Sequence, residues 1–474
     1  MLHLFNTLTR QEEPFAPSRD NTVRMYACGL TVYARGHIGN FRTFVCLDVL
    51  RRTLKYLCGH HVRGVLNYTD VDDKTIAGAA GAGMPLRAYT DQWIQAFRDD
   101  SATLGLEPPE ETPRATDEVN LRAMSDMVLA LEHNGHTYRR DGSIYFKIAS
   151  LPTYGRLARL DHEGMKPGVS VDVDEYSKDD ARDFVLWKAA KPDEPTWDYG
   201  TGAGRPGWHL ECSAMALRLL GEPPIDLHAG GIDLVFPHHE NEIAQSEGAT
   251  NKPFSRFWFH VEHLFVESEK MSKSIGNVYV VQDIVDRGHR PSALRYLLLS
   301  SHYRKQLNFT WAGMDQAEES IGRIMNCLSR LDDVTGDGAH GAHEGIEAAI
   351  TKARAAFAAA LYHDLNTAGA LGAVFDFVRD VNAAIDAKDL SAAEAQTVRG
   401  VFEEFDKVLG VVSLRRAEDA QPPVPVEEIE RLIDERKAAR QRRDFAAADG
   451  IRVSLAERGI ILEDSAAGTK WKRK

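Results

Sequence analysis

The stretch that decides the fold spans residues 22–40 and has the sequence TVRMYACGLTVYARGHIGN. Its first part, 22–30, is apolar and enters a glycine turn, which is the pattern of a buried β-strand. Gly36 and Gly39 then precede an apolar segment at 41–58 that predicts a long helix. A strand, a glycine turn and a helix in this order are typical of the opening of a nucleotide-binding fold.

Two later segments continue this pattern. Residues 62–68 (VRGVLNY) are strand-like and run into an acidic turn, and residues 226–236 repeat a strand-like pattern that ends at Pro237. Because these strands alternate with helical segments, the chain is predicted to be an α/β protein with a parallel sheet.

The rest of the chain is organised around this predicted sheet. Residues 111–205 are interpreted as an insertion, in which Tyr138 to Ala149 alternates like a hairpin strand. Residues 311–412 have apolar residues at three- and four-residue spacings, which predict a helical bundle. The prolines within 415–428 favour an extended linker, and a last small unit is predicted at 426–474.

Composition and charge exclude several classes of protein. The 474 residues suggest about three domains, and 43% of them are hydrophobic. There is no apolar leader and no uninterrupted apolar run of about 18 residues, so we expect a cytoplasmic protein that does not enter a membrane. The net charge of −13 argues against a protein that coats DNA nonspecifically. Five dispersed cysteines are too few for a disulfide framework.

The glycine-rich turn GHIGN at 36–40 is the first candidate for chemistry. Its glycines allow close backbone approach, and His37 lies at a predicted helix start, where free N–H groups attract phosphate. Taken alone the motif is weak, since a turn histidine is more often structural.

The second candidate is KMSKS at 270–274, a polar loop with two ammonium groups. Such a loop can close over phosphates and stabilise the charge that builds on departing pyrophosphate. The alternative is an ordinary surface loop rich in lysine.

Four further residues form a candidate metal site: Cys28 in CGLTVY, Cys212 in GWHLECSAM, and His238 with Glu242 in FPHHENE. Pro237 suits the first turn of a helix, and the four-residue spacing would then place His238 and Glu242 on one face. Two thiolates complete a donor set of the zinc type. By spacing alone, His239 or Glu240 could replace their neighbours in this set.

Together, GHIGN and KMSKS resemble the paired signatures of class I aminoacyl-tRNA synthetases. With the strings NYTDVDDK, YFKIASLPTYGRL, DFVLWKAAKPDEPTWD, HAGGIDLVFPHHENE and GTKWKRK, essentially the whole chain is similar to the bacterial-type cysteinyl-tRNA synthetase family. Two positions depart from the family pattern. Asn40 replaces the usual histidine, and Ala229 replaces the first of three glycines.

The resemblance implies a fold. It implies a Rossmann-like catalytic domain with an insertion, followed by a helical bundle and a small anticodon-binding unit. The expected boundaries are 1–110 and 206–262 for the two catalytic halves, 111–205 for the connective insertion, 263–310 for the KMSKS loop and stem-contact region, 311–412 for the tRNA-binding bundle, and 426–474 for the anticodon-binding unit.

The resemblance also implies an activity. ATP would activate L-cysteine to cysteinyl adenylate, and the cysteinyl group would pass to the 3′ end of cysteine tRNA. We expect one Zn²⁺ per chain, Mg²⁺ with ATP, and a monomer. The implied catalytic residues are His37, Asn40, Lys270 and Lys273, with His37, Gly39, Asn40 and Lys273 binding ATP.

The implied substrate pocket and metal site lie close together. The resemblance places Thr31, Thr43, Asn67, Thr69, Trp208, Gly231 and Asp233 around the adenylate, and Cys28, Cys212, His238 and Glu242 on zinc. Zinc prefers thiolate over hydroxyl, so substrate coordination would discriminate against serine, which an apolar pocket rejects only about 100-fold. Four protein ligands usually form a closed structural site, so a fifth ligand or a loosened Glu242 is our hypothesis.

In the last unit, Arg440, Arg443 and Trp471 are expected to bind tRNA, because basic residues beside an aromatic suit unpaired nucleotides. The alternative is a solvated helix face and a frayed tail. Two rival functions remain: a mycothiol-pathway ligase, which would have no use for the last unit, and a noncatalytic RNA-binding or zinc-sensing protein, which would have no use for the two signatures.

Overall fold

A four-stranded parallel sheet carries the residues of interest. The computed structural model describes residues 1–160, 182–272, 274–335, 343–421, 424–465 and 468–473. The strand order of the sheet is Ser255–Val261, Ile225–Gly231, Thr22–Ala27 and His61–Leu66. Every pairing in this sheet is parallel. This confirms the α/β class, and the near-complete burial of Thr22–Ala27 is that of a strand covered on both faces.

The register aligns the carboxyl ends of the strands. Ala27 pairs with Leu66 on one side and with Ala229 on the other, and Ala229 also pairs with Phe259. Residues that follow these positions therefore meet at one edge of the sheet. Ala229 is fully buried within its strand, so its additional methyl group lies in the sheet and not in a turn.

Helices connect and cover the strands. The predicted long helix is present as Ile38–Arg52, continued by a π-helical turn at Thr53–Leu57. The other helices of this part of the chain are Asp73–Ala82, Leu86–Thr103, Glu118–His133, Trp208–Leu220, Glu240–Thr250, Val281–Asp286 and Pro291–Leu299.

The insertion contains a second, antiparallel sheet. Its strands are, in order, Thr137–Arg140, Ser143–Phe146, Phe184–Ala189 and Gly204–Pro206. The segment from Tyr138 to Ala149, predicted to alternate like a hairpin strand, contains the hairpin of the first two strands. Asp141 and Gly142 have positive φ angles of 48° and 77° and turn the chain between them.

Two small sheets contain the remaining strands that the structure describes within the first 409 residues. His3–Asn6 pairs with Gln11–Pro14, and Leu264–Val266 lies between Glu269–Lys270 and Leu307–Phe309. Short 3₁₀ turns occur at Ile148–Ser150 and Ile232–Leu234.

The region after residue 310 is helical, as the spacing predicts. Its helices are Trp311–Asp332, His343–Tyr362, Thr367–Asp386 and Ala392–Leu409. Ile321, Ile324, Leu328 and Leu331 are all buried along the first of them. None of the helices within the described residues is long and apolar enough to cross a membrane.

The chain divides into two compact units, Met1–Leu409 and Gly410–Lys474. The second contains helices Val412–Asp419, Val426–Gln441 and Phe445–Glu457 and a hairpin of Ile460–Ser465 with Gly468–Arg473. Its core is Val424, Ile429, Ile433, Leu455, Ile460 and Leu462.

The expectation of an extended linker from 415 is wrong for its first residues. Helix Val412–Asp419 occupies them, with Val412 buried and Arg415 paired with Glu418 one turn later at 3.5 Å. The prolines begin only at Pro422, too late to interrupt this helix. Pro422 and Pro423 lie outside the described residues.

Candidate metal centre and nucleotide site

The carboxyl edge of the parallel sheet brings the chemical groups together. Cys28 and Asn67 each follow directly after a strand, at Ala27 and Leu66. Gly29 must be glycine here, because a Cβ atom would overlap the carbonyl oxygen of Asn67. The tight turn after the first strand therefore places the Cys28 thiol at the sheet edge.

Two helices add the remaining predicted ligands. Cys212 lies in Trp208–Leu220, and Glu242 lies in the first turn of Glu240–Thr250. Phe236 has extended backbone angles, and the residues that follow it are helical up to Thr250, so Pro237 stands in the first turn as expected. The four-residue spacing brings His238 Nε2 to 3.1 Å from Glu242 Oε1.

The four predicted ligands converge on one point. One donor atom from each of Cys28, Cys212, His238 and Glu242 lies within 4.8 Å of all the others. Their exposed fractions are 5%, 1%, 1% and 0%. Two thiols, an imidazole and a carboxylate at these separations fit a zinc ion in both donor chemistry and size.

The structure also separates the two alternatives that spacing left open. Glu240 turns away from the cluster, and its carboxylate accepts hydrogen bonds from the backbone N–H groups of Gly155, Leu157 and Ala158 at 2.8–2.9 Å. His239 does face the cluster, with Nε2 3.4 Å from Cys28 Sγ.

One residue of the centre was missed by sequence reasoning. His228 lies within strand Ile225–Gly231, and its Nε2 is 3.6 Å from Cys28 Sγ and 3.3 Å from Glu242 Oε2. Cys28, His228, His239 and Glu242 therefore form a second group of four donors within 4.8 Å of one another. His228 is the first residue of the string HAGGIDLVFPHHENE, but the string alone did not indicate that its side chain faces the cluster.

The ionisable groups of the centre balance one another electrostatically. Burial opposes ionisation of Cys212, but hydrogen bonding from Cys28 and the charge of His238 lower the pKa of Cys212 to about 6. Burial would also lower the pKa of His238, yet the charges of Glu242 and Cys212 raise it to about 10. Burial raises the pKa of Cys28 well above its ordinary value. The metal-free centre thus contains a thiolate beside an imidazolium.

Neighbouring side chains hold these groups in place. His238 Nδ1 lies 2.9 Å from His209 Nδ1, and the ring of Trp208 packs on that of His238 with centroids 4.3 Å apart. Asn67 Oδ1 accepts from the backbone N–H of Gly29 at 3.0 Å and lies 3.7 Å from Cys212 Sγ. His238 is therefore oriented by contacts outside the ligand cluster.

The GHIGN turn has a defined local geometry. His37 caps helix Ile38–Arg52, its Nδ1 accepting from the Asn40 N–H at 3.1 Å while its own N–H donates to Asn40 Oδ1 at 3.0 Å. This reciprocal capping box explains why an amide suits position 40. Because Nδ1 accepts, the ring proton lies on Nε2, which remains a donor. Burial lowers the pKa of His37, partly offset by the charge of Asp233.

The KMSKS loop lies directly beside this turn. Ile38 donates a backbone hydrogen bond to Tyr279 at 2.9 Å, and a Cβ atom at Gly39 would overlap the Met271 methyl group. Within the loop, Ser272 N–H donates to Asn277 Oδ1 at 2.8 Å. Lys270 is exposed at the end of its strand, and the predicted Lys273 lies outside the described residues.

The seven predicted pocket residues fall into two neighbouring groups. Thr31 and Trp208 line a cavity of about 200 Å³. Thr31 forms an isolated parallel β-bridge with Thr69, and the Thr69 hydroxyl accepts a hydrogen bond from Asn67 Nδ2 at 3.3 Å. The other group is Gly231, Asp233 and Thr43. A Cβ atom at Gly231 would lie close to Asp233 Oδ1 and 3.8 Å from Thr43 Oγ1.

In the second unit, the predicted tRNA contacts are not equally accessible. Arg440 and Arg443 are exposed, although Arg440 pairs with Asp464 at 3.0 Å. Trp471 packs against the small core and donates from Nε1 to Glu430 at 3.0 Å. The aromatic most open to stacking is Phe445, which is 62% exposed. Sequence reasoning missed it, although it lies two residues after Arg443 in QRRDF.

Comparisons with known proteins agree with this geometry. The family described as tRNA synthetases class I (C) catalytic domain matches residues 14–319, and the DALR domain family matches residues 356–413. The chain is 49% identical to the cysteine–tRNA ligase of Solibacter usitatus and 46% identical to that of Koribacter versatilis, with all of each chain covered.

Solved structures support the same fold. A methionyl-tRNA synthetase of Mycobacterium tuberculosis in complex with methionyl-adenylate superposes with a TM-score of 0.58 at 16% identity, covering 82% of this chain and 90% of that one. A putative arginyl-tRNA synthetase from Campylobacter jejuni gives a TM-score of 0.55 at 12% identity, covering 84% and 93%.

Proposed function

The chain belongs to the class I cysteine–tRNA ligase family, and from this premise we propose that it activates L-cysteine with ATP and transfers it to the 3′ end of cysteine tRNA. The observation that carries this proposal is the buried convergence of Cys28, Cys212, His238 and Glu242 at the sheet edge. It lies beside Trp208, which lines the predicted substrate cavity.

We propose that these four side chains hold one Zn²⁺ per chain. When bound, zinc supplies a Lewis acid that prefers a thiolate to a hydroxyl and so distinguishes cysteine from serine. The protein contributes a dry, rigid cluster with Trp208 on its cavity side. A site built in this way rejects the wrong side chain by chemistry as well as by size.

For activation, we propose that the substrate carboxylate attacks the α-phosphorus of ATP in line, forming cysteinyl adenylate and releasing pyrophosphate. His37 is neutral because burial lowers its pKa, and its Nε2–H donates to the phosphates. Lys270, and Lys273 by its place in the KMSKS motif, supply positive charge for the triphosphate, and Mg²⁺ accompanies ATP. Asn40 and Gly39 act by shaping the helix start that faces the triphosphate.

For transfer, the terminal adenosine of the tRNA attacks the activated carbonyl through its 2′-hydroxyl. Arg440 and Arg443 contact the tRNA backbone, and Phe445 with Trp471 provides aromatic surface for unpaired bases. The unit 410–474 then selects the tRNA, while the sheet domain performs the chemistry. We propose that the enzyme works as a cytoplasmic monomer, since both signatures and the ligand cluster come from one chain.

The test combines two assays on the full chain. Cysteine-dependent ATP–pyrophosphate exchange measures activation, and charging of purified tRNA with labelled cysteine measures transfer. We expect both from the wild type, neither from Cys212→Ser, and activation without charging from a chain truncated after Asp419. Cys46→Ser, at a buried cysteine outside the cluster, is the matched control.

The rival functions give different results. Activation by the full chain without charging of any tRNA would favour a ligase with another acceptor, such as an amino sugar. Absence of activation in the folded wild type would favour a noncatalytic RNA-binding or zinc-sensing protein.

A further inference from the structure

The second donor group has the dimensions of a metal site in its own right. Cys28 Sγ lies 3.6 Å from His228 Nε2, 3.4 Å from His239 Nε2 and 3.3 Å from Glu242 Oε1. Glu242 also lies 3.3 Å from His228 Nε2 and 3.9 Å from His239 Nε2. Ligands about 2.0–2.3 Å from a tetrahedral zinc ion are separated by distances of this size.

His239 is already oriented as a metal ligand. Its Nδ1 lies 2.7 Å from His260 Nε2, and His260 Nδ1 lies 2.8 Å from Thr7 Oγ1. If each Nδ1–H donates along this chain, His239 Nε2 keeps a free lone pair that points at Cys28. A metal-ligating histidine is normally held by such a hydrogen bond from its other nitrogen.

The two donor groups occupy different sides of the pocket. His238 packs against Trp208 beside the cavity, with ring centroids 4.3 Å apart. His228 and His239 pack instead against the buried Trp258, with centroids 4.7 and 5.4 Å away. Cys28 and Glu242 belong to both groups, so one ion can pass from one to the other by exchanging only two ligands.

We propose that the pocket offers the metal ion a second position, ligated by Cys28, His228, His239 and Glu242 on the core side. The inference rests on the zinc site of the proposed function, since both positions share Cys28 and Glu242. An ion in the second position leaves Cys212 and His238 uncoordinated.

The second position is the weaker of the two. His228 Nδ1 is buried and has no hydrogen-bond partner among the described residues. Ligation through Nε2 would place the ring proton on this unpaired nitrogen, whereas His238 Nδ1 has His209 as its partner. Loss of such an outer partner typically costs about 10–100-fold in metal affinity.

The experiment titrates metal-free full-length protein with Co²⁺ and records absorption, without any activity assay. Tetrahedral cobalt gives visible bands, and its near-ultraviolet charge-transfer intensity grows with the number of thiolates. The test variant is Cys212→Ala/His238→Ala. The comparison variants add substitutions to this double variant. One adds His228→Ala and His239→Ala, and the other adds Cys28→Ala. Circular dichroism checks that each variant is folded, and Cys46→Ser is the matched control.

We expect the double variant to bind Co²⁺ tetrahedrally with about half the wild-type charge-transfer intensity, since one thiolate remains, and about 10–100-fold more weakly. Adding the His228 and His239 substitutions, or removing Cys28, should abolish these bands. A folded double variant without tetrahedral bands would overturn the second position alone. Co²⁺ binding that survives the loss of His228 and His239 would also overturn the second position. A wild type that binds no cobalt would overturn the zinc site of the proposed function as well.

Discussion

At the scale of single residues, Glu242 divides its two carboxylate oxygens between the two donor groups. Oε1 faces His238 and Cys28, and Oε2 faces His228. Burial opposes its ionisation, but the charges and hydrogen bonds of His228 and His238 lower the pKa of Glu242 well below its ordinary value. The carboxylate is therefore charged and available to a cation at physiological pH.

His209 is predicted to act on metal affinity through His238. In His209→Ala, His238 Nδ1 loses the partner that lies 2.9 Å away, and zinc affinity should fall about 10–100-fold. Competition with a chromophoric chelator measures this directly. His209→Gln keeps an acceptor and should lose less, so equal losses in the two variants would contradict the orienting role.

Metal binding should release protons in a pH-dependent way. Between pH values of about 6 and about 10, Cys212 is already a thiolate, while His238 and Cys28 still hold their protons. Binding should then release about two protons, and affinity should rise with pH. Below a pH of about 6, Cys212 is also protonated, and metal binding should release about three protons.

Isothermal titration calorimetry in buffers of different ionisation enthalpy measures the proton count. A heat of binding that does not change with the buffer would show that no proton leaves. The thiolate–imidazolium arrangement of the metal-free centre would then be wrong.

At the scale of elements, the start of helix Ile38–Arg52 joins the two nucleotide motifs. Gly39→Ala should lower the rate of ATP–pyrophosphate exchange by about 100-fold. The added methyl group would overlap Met271 and lie 3.1 Å from His37 Nδ1, displacing a side chain that we propose binds phosphate.

Gly81→Ala is the matched control, because its Cβ would meet open space in helix Asp73–Ala82. It should leave exchange unchanged and stabilise the helix by about 0.5–1 kcal/mol. If Gly39→Ala exchanges as fast as this control, the contact between the two motifs does not matter for activation.

The second unit gives a prediction about its exposed aromatic. Phe445→Ala should weaken tRNA charging through a higher KM for tRNA, corresponding to about 1–3 kcal/mol of lost stacking, with activation unchanged. Val453→Ala, on the same helix and 55% exposed, should alter neither measurement. An unchanged KM in Phe445→Ala would remove this residue from the tRNA surface.

At the scale of the whole molecule, Asp364 ties distant parts of the first unit together. Its carboxylate accepts from the Phe5 N–H at 2.8 Å, the Tyr303 hydroxyl at 2.5 Å and Arg304 Nε at 2.6 Å. It is 1% exposed. The N-terminal strand, the segment after helix Pro291–Leu299 and the helical region therefore share one buried charge.

Asp364→Asn should destabilise the protein by about 3 kcal/mol, because a single amide oxygen cannot accept from all three donors. Asparagine tolerates the positive φ of 53° at this position, so backbone strain is not added. Urea unfolding measures the loss. Glu12→Gln, which weakens only partly exposed pairs with Arg304 at 2.9 Å and with His363 at 3.3 Å, should cost under about 1 kcal/mol.

The local spacing of apolar residues along the chain was enough to predict most of the fold. The strand, glycine turn and helix of 22–58, the parallel sheet and the helices after 310 follow from apolar spacing and are all present. The prediction that failed, the extended linker from 415, depended on a helix end whose position spacing does not specify.

The amino-acid sequence by itself determined the α/β class and the two nucleotide motifs, because these are properties of residue type and spacing. Its resemblance to a known family supplied Cys28, Cys212, His238 and Glu242 as candidate ligands, which spacing alone left open to His239 and Glu240. Only the tertiary structure decided that Glu240 turns away while His228 and His239 face the same thiol. Strand register and helix packing bring those groups together from distant parts of the chain, and a one-dimensional pattern does not contain the distances that metal coordination requires.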